Sequence, residues 1–245
     1  LKDCFKRLDK AIEAFKGRLQ EGLDEARLKE IVEEEIFAQG ARALSFKTIL
    51  AIGENSSFIH YNGLNDKRKL KAGDTVLLDC GAYFEGGLAT DITRVFVLGG
   101  ASKEQKTVYT RVLQAFLRAY YKSANTGFEL DELARDFLKS TAPEGFEFSH
   151  SLGHGVGVSV HQAPPVISPA DKEKAPLVSG NVFSIEPGLY CEGKFGVRLE
   201  NVVYISEEGE KISLSKFPFE EALVDFELLD EEEEAWLRKW QVWRE

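Results

Sequence analysis

Three of the four histidines of this chain fall within Ser149–Pro165, SHSLGHGVGVSVHQAPP. Imidazole, neutral near pH 7, is the commonest metal ligand and also a ready proton carrier, so a cluster of His150, His154 and His161 suits either task. Gly153, Gly155 and Gly157 leave the backbone bare around His154, which predicts close backbone approach to whatever that ring holds. Four carboxylates stand in apolar strand-like contexts. Asp79 closes Val76-Leu77-Leu78, and Asp91 sits in the next strand across a hairpin. Glu186 follows Phe183-Ser184-Ile185, and Glu200 lies within Val197–Val203. A carboxylate there is costly unless paired or bound to a metal. Four of them neutralise two divalent cations, a neutral imidazole completes an oxygen-rich pair of sites, and a shared hydroxide then serves as nucleophile in metal-assisted hydrolysis. The absence of cysteine from this set favours manganese or cobalt over structural zinc. Arg198, two residues before Glu200 on the same strand, is expected on the same face, to support the carboxylates or meet a substrate carbonyl.

The elements that must carry these residues are readable from hydrophobic period. Residues 2–20 place Phe5, Leu8, Ile12, Phe15 and Leu19 on one helical face, and 24–38 repeat the pattern with Leu28, Ile31, Val32 and Ile36. Strands are then expected at 46–52, 75–80 and 90–98, with Glu85-Gly86-Gly87 as the hairpin corner. Ser102 with Gln105 three residues on forms a capping box opening a second helical block, whose stripe is Tyr109, Val112, Phe116 and Tyr120. Another helix follows around Leu130–Leu138, then the histidine cluster. Two strands are expected at 181–191 and 195–205, joined by a turn at Glu192-Gly193. A last helix starts near Asp230, with four glutamates at its positive end and Trp236, Trp240 and Trp243 as its apolar edge. Helices followed by strands occur twice, in 1–98 and 102–205. That order predicts a pseudo-twofold α+β body with helices outside a sheet core and ligands between the halves.

With 245 residues, 43% of them hydrophobic, the chain can bury a sizeable core. A net charge of −10 without any Lys/Arg run argues against nucleic-acid or anionic-membrane surfaces, leaving small molecules, peptides or proteins as partners. Cys4, Cys80 and Cys191 are odd in number and far apart, so neither a disulfide framework nor a zinc knuckle is indicated, and a reducing, cytoplasmic setting is expected. There is no apolar run of membrane-spanning length and no signal-peptide pattern. Leu1 and the complete absence of methionine suggest a fragment or processed form.

The ordered set Asp79 in LLDCGA, Asp91 in TDITRVF, His154 in GHGVG, Glu186 in SIEPG and Glu200 in RLEN resembles the pita-bread metallopeptidases. These include methionine aminopeptidase, prolidase, aminopeptidase P and the non-metal relative creatinase. His60-Tyr61, His150 and His161 look like the prolyl-peptide branch, and the segment from Phe217 looks more like that of aminopeptidase P than of prolidase. The resemblance implies a curved antiparallel sheet in two halves, residues 1–216 as catalytic domain, 217–245 as a tail packed on it, and an amino-terminal family domain absent from this chain. It implies two divalent ions, manganese with cobalt or zinc as alternatives. Asp79 would bind one, Asp91 and Glu200 would bridge both, and His154 and Glu186 would complete the second. His60, His150 and His161 would line the substrate site for proton transfer or stabilisation of the tetrahedral intermediate, with Glu186 and Arg198 also counted among the catalytic residues. The expected reaction is hydrolysis of the Xaa-Pro bond, releasing the N-terminal residue of peptides with proline second, and a homodimer is compatible with the family.

Two departures bear on this expectation. Asp79 and Asp91 lie one residue further apart than is usual in the family, so the extra residue must be absorbed at Glu85-Gly86-Gly87 if Asp91 is to keep its face. Gln162 follows His161 where the family mostly has an acid. The competing readings are a Xaa-Pro dipeptidase and, from another class, a non-catalytic peptide- or histone-binding pita-bread module. The full set of metal-competent side chains speaks against the latter.

Overall fold

The computed structural model describes residues 1–63, 67–172 and 174–242; Trp243, expected on the last helix edge, lies outside them. Helix α1 (Lys2–Lys16) buries Phe5, Leu8, Ile12 and Phe15 as the period requires, but it stops at Gly17, short of the expected residue 20. Leu19 still reaches the same core from the following turn. Helix α2 (Glu25–Ala38) starts at Asp24, whose side chain accepts from the Arg27 N–H at 2.8 Å. Strands β1 (Ala43–Leu44), β2 (Ile49–Ile52), β3 (Thr75–Cys80), β4 (Ala82–Tyr83) and β5 (Ile92–Val97) complete the first half, with a 3₁₀ turn at Gly53–Ser57. The strand expected from Phe46 thus begins only at Ile49, and Asp91 precedes β5 rather than lying inside it.

The second half repeats the order. Helix α3 (Lys103–Tyr121) carries the Ser102/Gln105 capping box, and α4 (Gly127–Thr141) packs beside it. Then come β6 (Gly153–His154), β7 (Val166–Ile167), β8 (Val182–Ile185), β9 (Gly188–Cys191), β10 (Phe195–Arg198), β11 (Glu200–Ile205), β12 (Lys211–Ser213) and α5 (Glu231–Val242). The two long strands expected over 181–191 and 195–205 are each broken in the middle. Pro187 lacks the N–H that would continue the ladder after Glu186. On the facing segment Leu199 N–H donates to Pro187 O, and there the chain changes partners: β10 pairs with β9, whereas β11 pairs with β8, β5 and β12. Both glutamates of the candidate metal set stand at these breaks.

All pairings in the main sheet are antiparallel, in the order β12-β11-β5-β3-β2, with β8 on the other edge of β11. Strand alternation divides the core. On β3, Val76, Leu78 and Cys80 face the cluster built by α1 and α2, while Leu77 joins the cluster of α3 and α4. Asp79 therefore shares the Leu77 face, toward the second half. The result is the pseudo-twofold α+β pita-bread body.

The segment after β12 packs into both clusters: Phe217 with the first, Phe219, Leu223, Val224, Leu237 and Trp240 with the second. Arg94, 1% exposed, ties it to the sheet by donating to the carbonyls of Phe217, Pro218, Thr93 and Glu200 and to Asn201 Oδ1. Phe116, fully buried on α3, meets Phe219 and Trp240 edge-on at 5.2 and 5.4 Å between ring centroids. Removing that ring leaves a cavity shared by α3 and the C-terminal segment, so Phe116→Ala should lower the unfolding free energy by about 3–5 kcal/mol, measured by urea denaturation.

Candidate metal centre

One row of the sheet organises the site. Asp79 on β3 pairs with Thr93 on β5, and Thr93 pairs with Glu200 on β11, so three polar residues from distant segments lie side by side. Thr93 Oγ1 donates to Glu200 Oε2 at 2.7 Å and accepts from Arg198 Nε at 3.2 Å, while Arg198 Nη2 donates to Asp79 Oδ2 at 2.6 Å. Between the two aspartates the chain turns at Gly86 and Gly87, which take φ of 113° and 79°. The β3–β5 register is undisturbed, and Asp91 reaches the same cavity as Asp79.

His154 enters from the second half on β6. Its Nδ1 lies 3.1 Å from Gly155 O; a carbonyl can only accept, so the proton is on Nδ1 and the Nε2 lone pair faces the acids. Nε2 lies 3.3 Å from Glu186 Oε1 and 3.6 Å from Asp91 Oδ2. Ser184 steers both partners: its hydroxyl donates to Glu186 Oε1 at 3.0 Å and accepts from the His154 N–H at 3.0 Å. The flanking glycines prove to serve protein packing. A Cβ on Gly153 would lie 2.0 Å from Ser184 O, and one on Gly155 2.1 Å from Gln162 O, so they seat His154 against neighbouring backbone.

Asp91, Glu186 and Glu200, buried beside one another and beside Asp79, resist ionisation. Asp91 and Glu200 are pushed well above the ordinary carboxylate range, first by burial and then by the neighbouring acids. Glu186 is pushed up to about 7, mainly by burial, with Arg198 opposing. Burial holds His154 down at about 4, hence neutral. Asp79 Oδ1, Asp91 Oδ1 and Glu200 Oε1 are buried without a hydrogen-bond partner among the described residues. Donor atoms of Asp91, His154 and Glu200 all lie within 4.8 Å of one another. Orphaned carboxylate oxygens beside an imidazole lone pair, with Arg198 the one guanidinium among the described residues that donates to a side-chain oxygen of these four acids, fit divalent metal ions.

The remaining predicted residues line the same cavity of about 590 Å³ in unequal ways. His150 has both ring nitrogens engaged, Nδ1 with Ser151 O at 2.8 Å and Nε2 with the Tyr190 hydroxyl at 3.0 Å. Arg198 Nη1 in turn donates to the Tyr190 oxygen at 2.9 Å, so the proton of Tyr190 points to His150. Burial keeps that ring neutral, its pKa lowered to about 3. His161 is exposed and lies edge-on against His154 at 4.2 Å between ring centroids. His60 is exposed in the cavity wall, and neither His60 nor His161 has a ring hydrogen bond among the described residues. The His60 loop is anchored by its neighbour: Tyr61 OH donates to buried Glu25 Oε2 at 2.7 Å. Gln162 spends its amide oxygen on the Ser159 N–H, away from the His161 ring.

Sequence reasoning missed Thr93, Ser184 and Tyr190. Period-two alternation points to the first two, since Ser184 precedes Glu186 by two residues and Thr93 follows Asp91 by two. Tyr190 carries no such signal because Pro187 breaks the strand between it and Glu186.

A cavity walled by carboxylates from four chain segments and one oriented neutral histidine is a carboxylate-rich candidate metal centre. The sequence profile of metallopeptidase family M24 matches residues 1–207, and the chain belongs to that family. It is 37% identical over 205 residues to a Xaa-Pro dipeptidase of Pyrococcus furiosus, covering 83% of this chain and 57% of that protein. It is 39% identical over 212 residues to a probable Xaa-Pro aminopeptidase P of Pyricularia oryzae, covering 79% and 34%. The crystal structure of the X-prolyl aminopeptidase of Caenorhabditis elegans, described as a cytosolic enzyme with a di-nuclear active site, matches with a TM-score of 0.87 at 30% identity, covering 98% of this chain and 42% of that one. The chain thus spans between about a third and three fifths of the length of these relatives.

The raised carboxylates set a sign for pH dependence. A folded-state pKa above the unfolded value means that the metal-free fold binds extra protons and loses stability as pH rises from the ordinary carboxylate range through about 7. Metal ions compete with those protons, so the metal-loaded protein should lack this decline and metal uptake at pH 6 should release protons. Thermal unfolding of chelated and reconstituted samples from pH 5 to 8, with calorimetry in two buffers, checks both.

Proposed function

We propose that this chain is the catalytic body of a dinuclear-metal Xaa-Pro aminopeptidase, hydrolysing the bond before a proline in second position and releasing the N-terminal residue of a peptide. The observation that carries it is the convergence of buried, unpartnered oxygens of Asp79, Asp91 and Glu200 with Glu186 and the His154 lone pair on one cavity. Arg198 offsets one of the four negative charges; one divalent ion would leave a net negative charge, and two would leave a net positive charge suited to an anionic nucleophile. In this reading Asp79 holds one ion, Asp91 and Glu200 are shared, and His154 and Glu186 hold the other. Manganese is the proposed metal, with cobalt or zinc as alternatives. The ions, when bound, supply Lewis acidity toward the scissile carbonyl and lower the pKa of water enough for attack at neutral pH.

The chain's own residues fix and balance that chemistry. Arg198 and Thr93 orient Asp79 and Glu200, and Ser184 orients Glu186. Proline makes the leaving nitrogen a tertiary amide with no hydrogen, which must be protonated for the bond to break. His161 and His60, with open ring nitrogens at the cavity wall, are the groups able to deliver a proton or hold the substrate carbonyl. His150, with both nitrogens engaged, acts through Tyr190 by fixing its hydroxyl beside Arg198.

Aminopeptidase is favoured over dipeptidase because the Caenorhabditis match covers 98% of this chain and so includes most of 217–245, read here as an aminopeptidase P-like tail on a 1–216 catalytic domain. The dipeptidase of Pyrococcus furiosus keeps the second reading open to test. Peptides are the proposed partners, with neither nucleic acid nor membrane. A homodimer and a cytoplasmic setting fit the same reading. No helix among the described residues is long and apolar enough to cross a membrane.

With manganese-loaded protein, Xaa-Pro-Xaa tripeptides should be cleaved at least as fast as Xaa-Pro dipeptides, with the free N-terminal residue as product. A preference for dipeptides with tripeptides untouched moves the assignment to the dipeptidase. His154→Ala should lose one ion per chain together with turnover. His161→Ala should keep both ions and lose about 10²–10⁴ in kcat, as removal of a positioned acid or base does. Metal analysis beside turnover separates these roles.

A further inference from the structure

We propose that the cavity between the C-terminal end of α3, the β11–β12 turn and α5 is a binding site for a small organic anion with a flat aromatic body. The cavity encloses about 640 Å³, within the range of small-molecule sites, and shares no lining residue with the metal centre. Its position is set by β11, which carries Glu200 at one end and enters this cavity with Ile205 at the other, about 16 Å along the strand.

Four lysines line it, three of them from different elements: Lys122 after α3, Lys211 on β12 and Lys239 on α5. None of these three has a carboxylate within ion-pair distance among the described residues, although the whole chain carries a net charge of −10. Lys211 is the centre of the argument. Its side chain is partly buried and its ammonium, with three protons to donate, makes a single hydrogen bond, to Lys122 O at 2.8 Å. An ammonium withdrawn from water without a counter-ion is costly, and burial alone pushes its pKa down to about 8. An anion in the cavity would accept from the remaining ammonium protons and stabilise the charged form.

The walls define the rest of the ligand. Tyr120, Tyr121 and Trp240 are packed against one another, with Tyr120 edge-on to Trp240 at 5.0 Å and to Tyr121 at 4.8 Å. Aromatic side chains beside ammonium groups suit a flat apolar body bearing one acidic group. Glu207 and Glu210 also line the cavity, but Lys122, Lys211 and Lys239 outnumber them.

The test uses a built-in reporter, because all three tryptophans lie in residues 236–243. Phenyl phosphate titrated into the metal-loaded protein should change tryptophan fluorescence saturably. Benzyl alcohol, with the ring but no charge, and inorganic phosphate, with the charge but no ring, should each bind at least about tenfold more weakly, the equivalent of 1.4 kcal/mol. Lys211→Met should weaken phenyl phosphate by a similar factor with unchanged far-UV circular dichroism, and Lys211→Arg should retain binding. Absence of a saturable change with the wild-type protein, or equal affinity in folded Lys211→Met, overturns the site. Equal affinity for inorganic phosphate and phenyl phosphate overturns its aromatic half. A Lys211→Met variant that fails to fold leaves the comparison of the three probes on the wild-type protein to decide.

Discussion

Four carboxylates gathered on one cavity are the constraint around which this molecule is built. Their mutual repulsion and desolvation are large enough to hold Asp91 and Glu200 protonated well beyond the usual range without metal. Cations in place of those protons would relieve both costs. The protein spends one arginine, not four, on the problem, and keeps three carboxylate oxygens unpartnered. A purely structural cluster would pair those oxygens with donors, as Asp131 is paired with Arg135 and the Leu152 N–H elsewhere in the chain.

Holding the cluster in place falls to strand register. Asp79, Thr93 and Glu200 form one row across β3, β5 and β11, and a slip of one residue in any strand would turn its member to the opposite face. Register is defended from behind by Arg94. Its guanidinium ties the Thr93 and Glu200 carbonyls to those of Phe217 and Pro218, linking the metal row to the C-terminal segment. The ring pair of Phe219 and Trp240 then binds that segment to α3. The far part of the chain thereby buttresses a site to which it contributes no ligand.

The histidines divide by what their second nitrogen touches. His154 is held by its own neighbour's carbonyl and offers a lone pair to the acids. His150 is closed off by Ser151 and Tyr190. His60 and His161 keep theirs open to the cavity. Spacing within the sequence singles out the cluster, but these three states depend on Tyr190 from β9 and on the backbone carbonyls each ring meets.

The sequence by itself determined the helices with regular apolar stripes, the capping box at Ser102, the order of helices and strands, and the acids and histidines that share one cavity. These are local or periodic features, set by side-chain alternation and capping chemistry within a few residues. Tertiary structure alone decided where the long strands break, because the break at Leu199 depends on a bond to Pro187 from another segment. It also decided what the glycines beside His154 are for, since their neighbours are Ser184 and Gln162 rather than a ligand. The partner Tyr190, and the tie from Arg94 to the C-terminal segment, belong to the same class. Each joins residues remote in sequence or separated by a strand break, and sequence periodicity carries no information across such gaps.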